Sequence, residues 1–337
     1  MGMMNLRHVD GYTGVLAYAP VLRMAIAAPP TAPRCCKRYL GRLVQSRFAR
    51  SVSRLIAGIV GALVGLHIAT WGMYKDAIHE GFVIPRYFRS VIVAIGVALV
   101  LEPFVGLDLT AGGGFVVFFG LVYAGERILV ELWKTFFRDE DQSKYTIPMQ
   151  FRLLHTPIRS RALRMAVGTV CLVVVALAAR TLERLQHSLG ADSPFVVTLL
   201  VGSVGGWLAA IGGAWKDAPV EGFEPLKFLR SPLMTMSAAL LLAPWTDRWL
   251  FLAMGALGYE RAAVETYKTF LLSDRPRGKF AGKPVLFPDM LVRRVKFAWL
   301  FGAIWLLVGA AYTAAWRQRA PTGTPLPIED PSARTGH

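Results

Sequence analysis

The chain has 337 residues, of which 54% are hydrophobic and 18% are charged, below the roughly one quarter charged residues of soluble domains. Its net charge is +16, which in a soluble protein would suggest nucleic acid, but no base-stacking module or recognition helix accompanies it. The composition excludes an ordinary soluble domain, argues against nucleic acid as a partner, and indicates an integral membrane protein.

Residues 1–53 form a basic N-terminal arm in which Asp10 is the only acid. From Arg34 to Arg54 the basic residues fall among apolar ones, as in a helix on a membrane surface; a flexible tail and a targeting segment are the alternatives. Eight apolar windows of about membrane-crossing length follow. We expect them at residues 55–74, 91–109, 114–133, 164–180, 195–215, 231–247, 249–271 and 297–316. Residues 318–337, rich in Pro, Thr, Gly and Ser, predict a disordered tail.

A pattern of charges beside these windows occurs twice. Residues 75–90 and 216–231 are identical at eight of sixteen positions, and residues 126–136 and 260–270 are identical at seven of eleven. Unrelated windows would share roughly one position at ordinary residue frequencies. We therefore interpret the chain as an internal tandem repeat.

The expected fold is an all-α polytopic membrane protein with about eight transmembrane helices in two four-span halves, residues 54–181 and 195–317. Each half has an even number of spans, so both halves should enter the membrane in the same direction. They should then be related by an axis along the membrane normal. The loops beside the charged motifs hold the larger share of Lys and Arg, which predicts that they face the cytoplasm; the basic arm opposes this. We expect a bacterial inner membrane, with anionic headgroups as partners of the basic loops. A homo-oligomer is left open.

A stripe of three glycines lies along the first window and recurs along the fifth. The six residues are Gly61, Gly65, Gly72, Gly202, Gly206 and Gly213. Small residues at this GxxxG-like spacing let two helices approach closely in lipid, so we predict that the first and fifth windows pack against each other. Pro219 raises the alternative that the fifth helix ends early. We assign His67 to helix packing and Trp71 to an aromatic belt at a membrane surface.

Glu126 and Glu260 lie near the middle of apolar windows, where an uncompensated carboxylate costs several kcal/mol. On a helical wheel Glu126, Arg127 and their charged neighbours fall within roughly 140°, and the second copy repeats this, so both faces should point into the protein. The duplicated charges form the candidate substrate or ion site. Its members are Lys75, Asp76, Glu80, Arg89, Glu126, Arg127, Glu131, Lys134, Lys216, Asp217, Glu221, Arg230, Glu260, Arg261, Glu265 and Lys268.

Three functions fit this pattern. The preferred hypothesis is a transporter or channel for an ion or small charged solute, with its site between the halves. The alternative is an enzyme acting on a lipid phosphate, in which the acids at 76, 80, 217 and 221 hold Mg²⁺ and the bases at 75, 89, 216 and 230 hold the phosphate. No catalytic signature accompanies it, so the cofactor is unknown and Mg²⁺ belongs to this alternative only. The third is a structural or partner-binding subunit whose charges form an ionic network that orients the helices.

Overall fold

The computed structural model describes residues 34–153, 156–189, 195–271 and 279–318, with side chains from residue 48 onward. The rest of the predicted arm and all but the first residue of the predicted tail lie outside these ranges. The chain forms two compact units, residues 1–52 and 53–337. The first unit is helical where it is described, and the second unit holds every side chain discussed below.

The described chain is 81% helical. Its α-helices are α1 (Arg34–Glu80), α2 (Ile84–Val105), α3 (Gly112–Leu132), α4 (Arg161–Leu189), α5 (Phe195–Glu221), α6 (Pro225–Leu242), α7 (Trp249–Thr266), α8 (Asp289–Arg293) and α9 (Val295–Gln318). Turns of π-helix continue α3 at Trp133–Phe137 and α7 at Tyr267–Leu271. Between α3 and α4, β1 (Arg152–Leu153) pairs antiparallel with β2 (Thr156–Pro157).

Several helices have the length and composition that a membrane span needs. Five such stretches occur in the described ranges: Phe48–Glu80, Ile84–Val105, Arg161–Leu189, Phe195–Glu221 and Asp289–Gln318. A span needs about 20 predominantly apolar residues, and each of these exceeds that length. The prediction of an all-α membrane protein is therefore confirmed at this level.

Helices α3 and α7 pack against each other at the centre of the second unit. Their backbones approach closely through glycines, because a Cβ added to Gly120 would lie 2.8 Å from the carbonyl oxygen of Gly255. The Tyr259 hydroxyl donates a hydrogen bond of 2.8 Å to the carbonyl oxygen of Val116 across the same crossing. Helices α2 and α9 also pack on α3, while α5 and α6 pack on α7. The helices that carry the buried acids Glu126 and Glu260 therefore form the central pair.

The first two glycines of each stripe, Gly61 and Gly65 or Gly202 and Gly206, pack their helix against the one that follows it in sequence, whereas a Cβ on Gly72 or Gly213 would meet nothing within 4 Å. A Cβ on Gly61 would lie 2.6 Å from the Cα of Ile95 in α2, and one on Gly206 would lie 2.6 Å from the Cα of Pro232 in α6. The prediction that the first and fifth windows pack through these glycines is therefore wrong. Glycine spacing reveals that a helix has a close neighbour, but the spacing does not identify that neighbour.

The duplicated Glu-Gly-Phe motif ends a helix in both copies. Gly81 and Gly222 adopt left-handed φ angles of 72° and 83°, and their amides bond to the carbonyl oxygens of Ala77 and Ala218 at 2.9 Å. Glycine has no Cβ to oppose this conformation, which is the usual way to close a helix. Helix α5 continues through Pro219 to Glu221, so the alternative that it ends at this proline is wrong.

Candidate functional site

A cavity of about 1150 Å³ lies in the second unit, bordered by helices α1 to α7. Thirteen of the sixteen predicted site residues line it: Lys75, Asp76, Glu80, Arg89, Arg127, Glu131, Lys134, Lys216, Asp217, Arg230, Arg261, Glu265 and Lys268. The structure thus brings the two copies of the charge pattern to a common space. The other three predicted residues, Glu126, Glu221 and Glu260, do not line the cavity.

The buried acids of α3 and α7 each hold the arginine that follows them. Glu126 is fully buried and accepts a hydrogen bond of 2.9 Å from Arg127 Nε. Glu260, 1% exposed, accepts bonds of 2.7 and 3.1 Å from Arg261 Nε and Nη2. Arg127 also lies 3.8 Å from Glu131. Since the arginines line the cavity and these two acids do not, each acid positions a cation at the cavity wall.

Lys75 connects the first copy of the pattern to the second. Its Nζ lies 3.5 Å from Glu265 Oε2 on α7, and it also lies 5.8 Å from the ring centre of Trp71. The guanidinium of Arg127 lies 5.6 Å from the same ring, whose Nε1 donates to the Tyr123 hydroxyl at 3.1 Å. Trp71, predicted from the sequence to belong to an aromatic belt, lines the cavity. Trp71 precedes Lys75 by four residues, so the two side chains share one face of the helix. This spacing could have placed Trp71 at the site from the sequence.

The acids of the first copy bind basic residues of distant loops. Lys279 Nζ lies 2.9 Å from Asp76 Oδ2 and 3.6 Å from Glu80 Oε2. Lys144 Nζ lies 3.3 Å from Glu80 Oε1, and Arg86 Nη1 lies 3.2 Å from Glu80 Oε2. The two loop lysines are more than 60 residues away in sequence, so no local pattern could assign them.

Loop residues beside this cluster carry shifted pKa values. Burial raises the pKa of Tyr145 to about 12, and its hydroxyl donates to Glu140 at 2.9 Å. Burial alone would raise the pKa of Glu140, but its hydrogen bond from Lys144 and neighbouring positive charges lower it. Burial alone would lower the pKa of Lys279, but Asp76 and Glu80 outweigh this and raise it. At neutral pH these loops therefore present a neutral phenol, a carboxylate and an ammonium.

The acids of the second copy bind a lysine of their own half. Lys227 Nζ lies 3.4 Å from Asp217 and 2.6 Å from Glu221. Arg152, on the β1 strand, donates a hydrogen bond to the carbonyl oxygen of Lys216. The sequence analysis did not single out Lys227 or Arg152, although both line the cavity.

The carboxylates that the enzyme alternative assigns to Mg²⁺ are all engaged by lysines. Asp76 and Glu80 contact Lys279, while Asp217 and Glu221 contact Lys227. Within the described ranges, no group of three or more His, Cys, Asp or Glu residues has the arrangement of a metal site. The residues present therefore do not fit a Mg²⁺ site.

The cavity wall carries an excess of positive charge, with thirteen Lys or Arg residues and seven Asp or Glu residues. Arg89 and Arg230, which occupy equivalent positions in the two copies, have no ion-pair partner among the described side chains. The Nε atoms of both are buried without a hydrogen-bond partner there. The cavity wall is therefore electropositive.

Comparison with known proteins yields no match. No protein-family model fits the chain, and no significant match is found among curated proteins or solved structures.

Proposed function

We propose that the protein is an integral membrane transporter for a small charged solute and that the cavity is its binding site. In this proposal α1 to α7 and α9 are the eight spans, arranged as two tandem parallel halves. Matched features support it: the Glu-Arg pairs, the left-handed glycines that end α1 and α5, and the π-helical turns occur in both halves in the same order. Duplicated bundles that enclose one site are a common transporter design.

The observation that carries the proposal is a common cavity lined by the duplicated charges. Buried charges need partners or a role, and an ionic network that only orients helices would need no space between its members. The cavity, about 1150 Å³, is slightly larger than the range of roughly 300–1,000 Å³ typical of ligand sites. Its walls combine fixed charges with apolar surface, as ligand pockets do.

We further propose that the charged ends of the halves face the cytoplasm of a bacterial inner membrane. Loops on this side carry Arg138, Lys144, Lys279 and Lys283, in keeping with the preference of short basic loops for the cytoplasmic side. Anionic headgroups are the expected partners of this surface. A homo-oligomer is compatible with this arrangement, and the cavity is formed by a single chain.

Filling the cavity should abolish transport without disturbing the fold. Gly72 lines the cavity, and a Cβ there would meet nothing within 4 Å. Gly72→Phe should therefore place a ring in the pathway without clashing with a neighbouring helix. We expect solute flux into liposomes containing the purified protein to fall at least tenfold, while the thermal midpoint stays within a few degrees of the original.

Gly58→Phe is the matched control on the same helix. Gly58 also has nothing within 4 Å of an added Cβ, but it does not line the cavity, so flux should be unchanged. Gly213→Phe repeats the test in the second half, since Gly213 lines the cavity and has open space beside it. Full flux in both cavity variants would contradict the proposal.

A further inference from the structure

Each half of the protein places a cluster of basic residues at the cavity. In the first half, Arg127 and Lys134 have carboxylate partners: Arg127 bonds to Glu126 at 2.9 Å and Lys134 lies 3.4 Å from Glu131. Arg89 lies near these residues: the charge of Glu126 attracts it, and the charges of Arg138, Arg127 and Arg86 repel it. The two acids compensate two of the three bases, so Arg89 is the remaining positive charge.

The second half repeats the arrangement with the equivalent residues. Arg261 bonds to Glu260 at 2.7 Å, whereas Glu265 is engaged by Lys75 from α1. Arg230 is attracted by Glu260 and Glu265 and repelled by Arg261, without an ion pair of its own. Arg89 and Arg230, the equivalent residues of the two halves, therefore both lack an ion pair among the described side chains, and in the second half Lys268 lacks one as well because Lys75 engages Glu265.

A half-buried cation without a partner is expensive, and two at equivalent positions indicate a binding role. Guanidinium is planar and offers a fork of N–H donors that matches two oxygens of one oxyanion. The Nε of Arg89 and the Nε of Arg230 are buried donors without an acceptor in the described residues. Both side chains line the cavity, so an oxyanion there would satisfy both charge and donors.

The same cavity also has an apolar wall. Val174 and Leu182 of α4, Leu208 of α5 and Leu257 of α7 line it. Val174 and Leu208 are 57% and 60% exposed, so protein side chains do not cover this wall. A hydrated inorganic anion gains nothing from such a surface, whereas the chain of an amphiphile would bury apolar area on it.

We propose that the cavity binds a phosphate-bearing lipid, with Arg89 and Arg230 holding phosphate oxygens and the apolar chain lying on the wall formed by α4, α5 and α7. This inference rests on the proposed function because it names the solute that the same cavity would transport. Binding and transport are separate measurements, so each can fail without the other.

The test is binding to the full-length protein in nanodiscs of phosphatidylcholine. The probe is dioctanoyl phosphatidic acid, and isothermal titration calorimetry measures its affinity for the protein. Arg89→Gln and Arg230→Gln should each weaken binding roughly 10-fold to 100-fold, the range expected for a lost charge-assisted hydrogen bond. Arg54→Gln is the matched control, because Arg54 is 68% exposed beside Glu102 and does not line the cavity. Unchanged affinity in both cavity variants would overturn the proposal.

Two further probes separate the sources of the phosphate group. Dioctanoyl glycerol lacks the phosphate, and inorganic phosphate lacks the chains, so both should bind at least tenfold more weakly than the lipid. If inorganic phosphate binds as tightly as the lipid, the assignment to a lipid is wrong. If phosphatidic acid binds through the two arginines but no flux is found with any substrate, the transporter proposal fails and the binding site stands.

A stability measurement distinguishes a ligand site from an ionic network. Arg89→Gln removes a charge that has no ion-pair partner among the described side chains, so the thermal midpoint of the lipid-free protein should stay the same or rise. The added protection by phosphatidic acid should be lost at the same time. A midpoint that falls by several degrees without lipid would show that Arg89 is held by the protein, and it would overturn the inference.

Discussion

Replacing Glu126 with leucine should lower the free energy of unfolding by about 3–5 kcal/mol, the usual cost of leaving a buried charge without its partner. Glu126 is fully buried, and the Arg127 side chain is 6% exposed, so water cannot replace the carboxylate. Arg127 would keep its 3.8 Å contact with Glu131 and its position 5.6 Å from the Trp71 ring, but it would lose its closest carboxylate. Equilibrium unfolding of the purified protein in mixed micelles, followed by circular dichroism, measures the change.

Two variants control this experiment. The double variant Glu126→Leu/Arg127→Leu removes both charges and should recover most of the lost stability, because an apolar pair often replaces a buried ion pair at little cost. Glu183→Ala breaks the partly exposed pair with Arg248, whose charged atoms are 3.6 Å apart, and should cost no more than about 1 kcal/mol. If Glu126→Leu costs as little as Glu183→Ala, the Glu126 pair is not a buried ion pair.

The equivalent change at Glu260 should have a smaller effect. Glu260 is as buried as Glu126, but the side chain of Arg261 is 28% exposed, so water can solvate its guanidinium after the carboxylate is lost. The two ion pairs have the same chemistry and differ in the exposure of the arginine. Comparing the two variants therefore measures how this exposure changes the loss in free energy of unfolding.

Replacing Gly120 with leucine should separate the central helices α3 and α7. Its Cβ would lie 2.8 Å from the Gly255 carbonyl oxygen and 2.9 Å from the Tyr259 ring, and backbone atoms cannot turn aside as a flexible side chain can. Overpacking of this kind costs roughly 1–3 kcal/mol or more. We expect the thermal midpoint to fall by several degrees and the bond from Tyr259 to Val116 to be lost.

Gly302→Leu is the matched control for this change. Gly302 lies in α9, and an added Cβ there would meet nothing within 4 Å. Leucine is a better helix former than glycine by nearly 1 kcal/mol, so this variant should be neutral or slightly stabilised. A thermal midpoint that does not fall for Gly120→Leu would show that the close crossing of α3 and α7 is not required.

Features that depend on neighbouring residues were predictable from the sequence. Apolar windows located the helices, because a helix in lipid must satisfy its own backbone and present an apolar surface. The windows miss the polar ends: the first window, 55–74, lies within the longer helix Arg34–Glu80. The second window, 91–109, runs past Val105, because Gly106 ends α2 with a left-handed φ of 62°.

Features that depend on partners distant in the chain were not predictable. The charged residues of the repeat pointed to a common interior, and thirteen of them line one cavity. The contacts of Asp76 with Lys279 and of Lys216 with Arg152 join residues far apart in the chain, so no periodicity encodes them. The helix crossing was misplaced for the same reason: the stripe at Gly61 was visible in the sequence, whereas the central crossing at Gly120 is set by tertiary packing.

The adjacency of Glu126 and Arg127 bears on how the protein is made. Because the two residues are neighbours on one helix, their charge pair can form before any other helix arrives. An arginine or an acid at the centre of a helix opposes insertion by roughly 2.5–3.5 kcal/mol, and local neutralisation reduces that penalty for the nascent segment. The Glu260-Arg261 pair does the same for α7. In the eight-span arrangement proposed above, both central helices therefore leave the translocon already neutralised at these positions and do not wait for a partner to be synthesised.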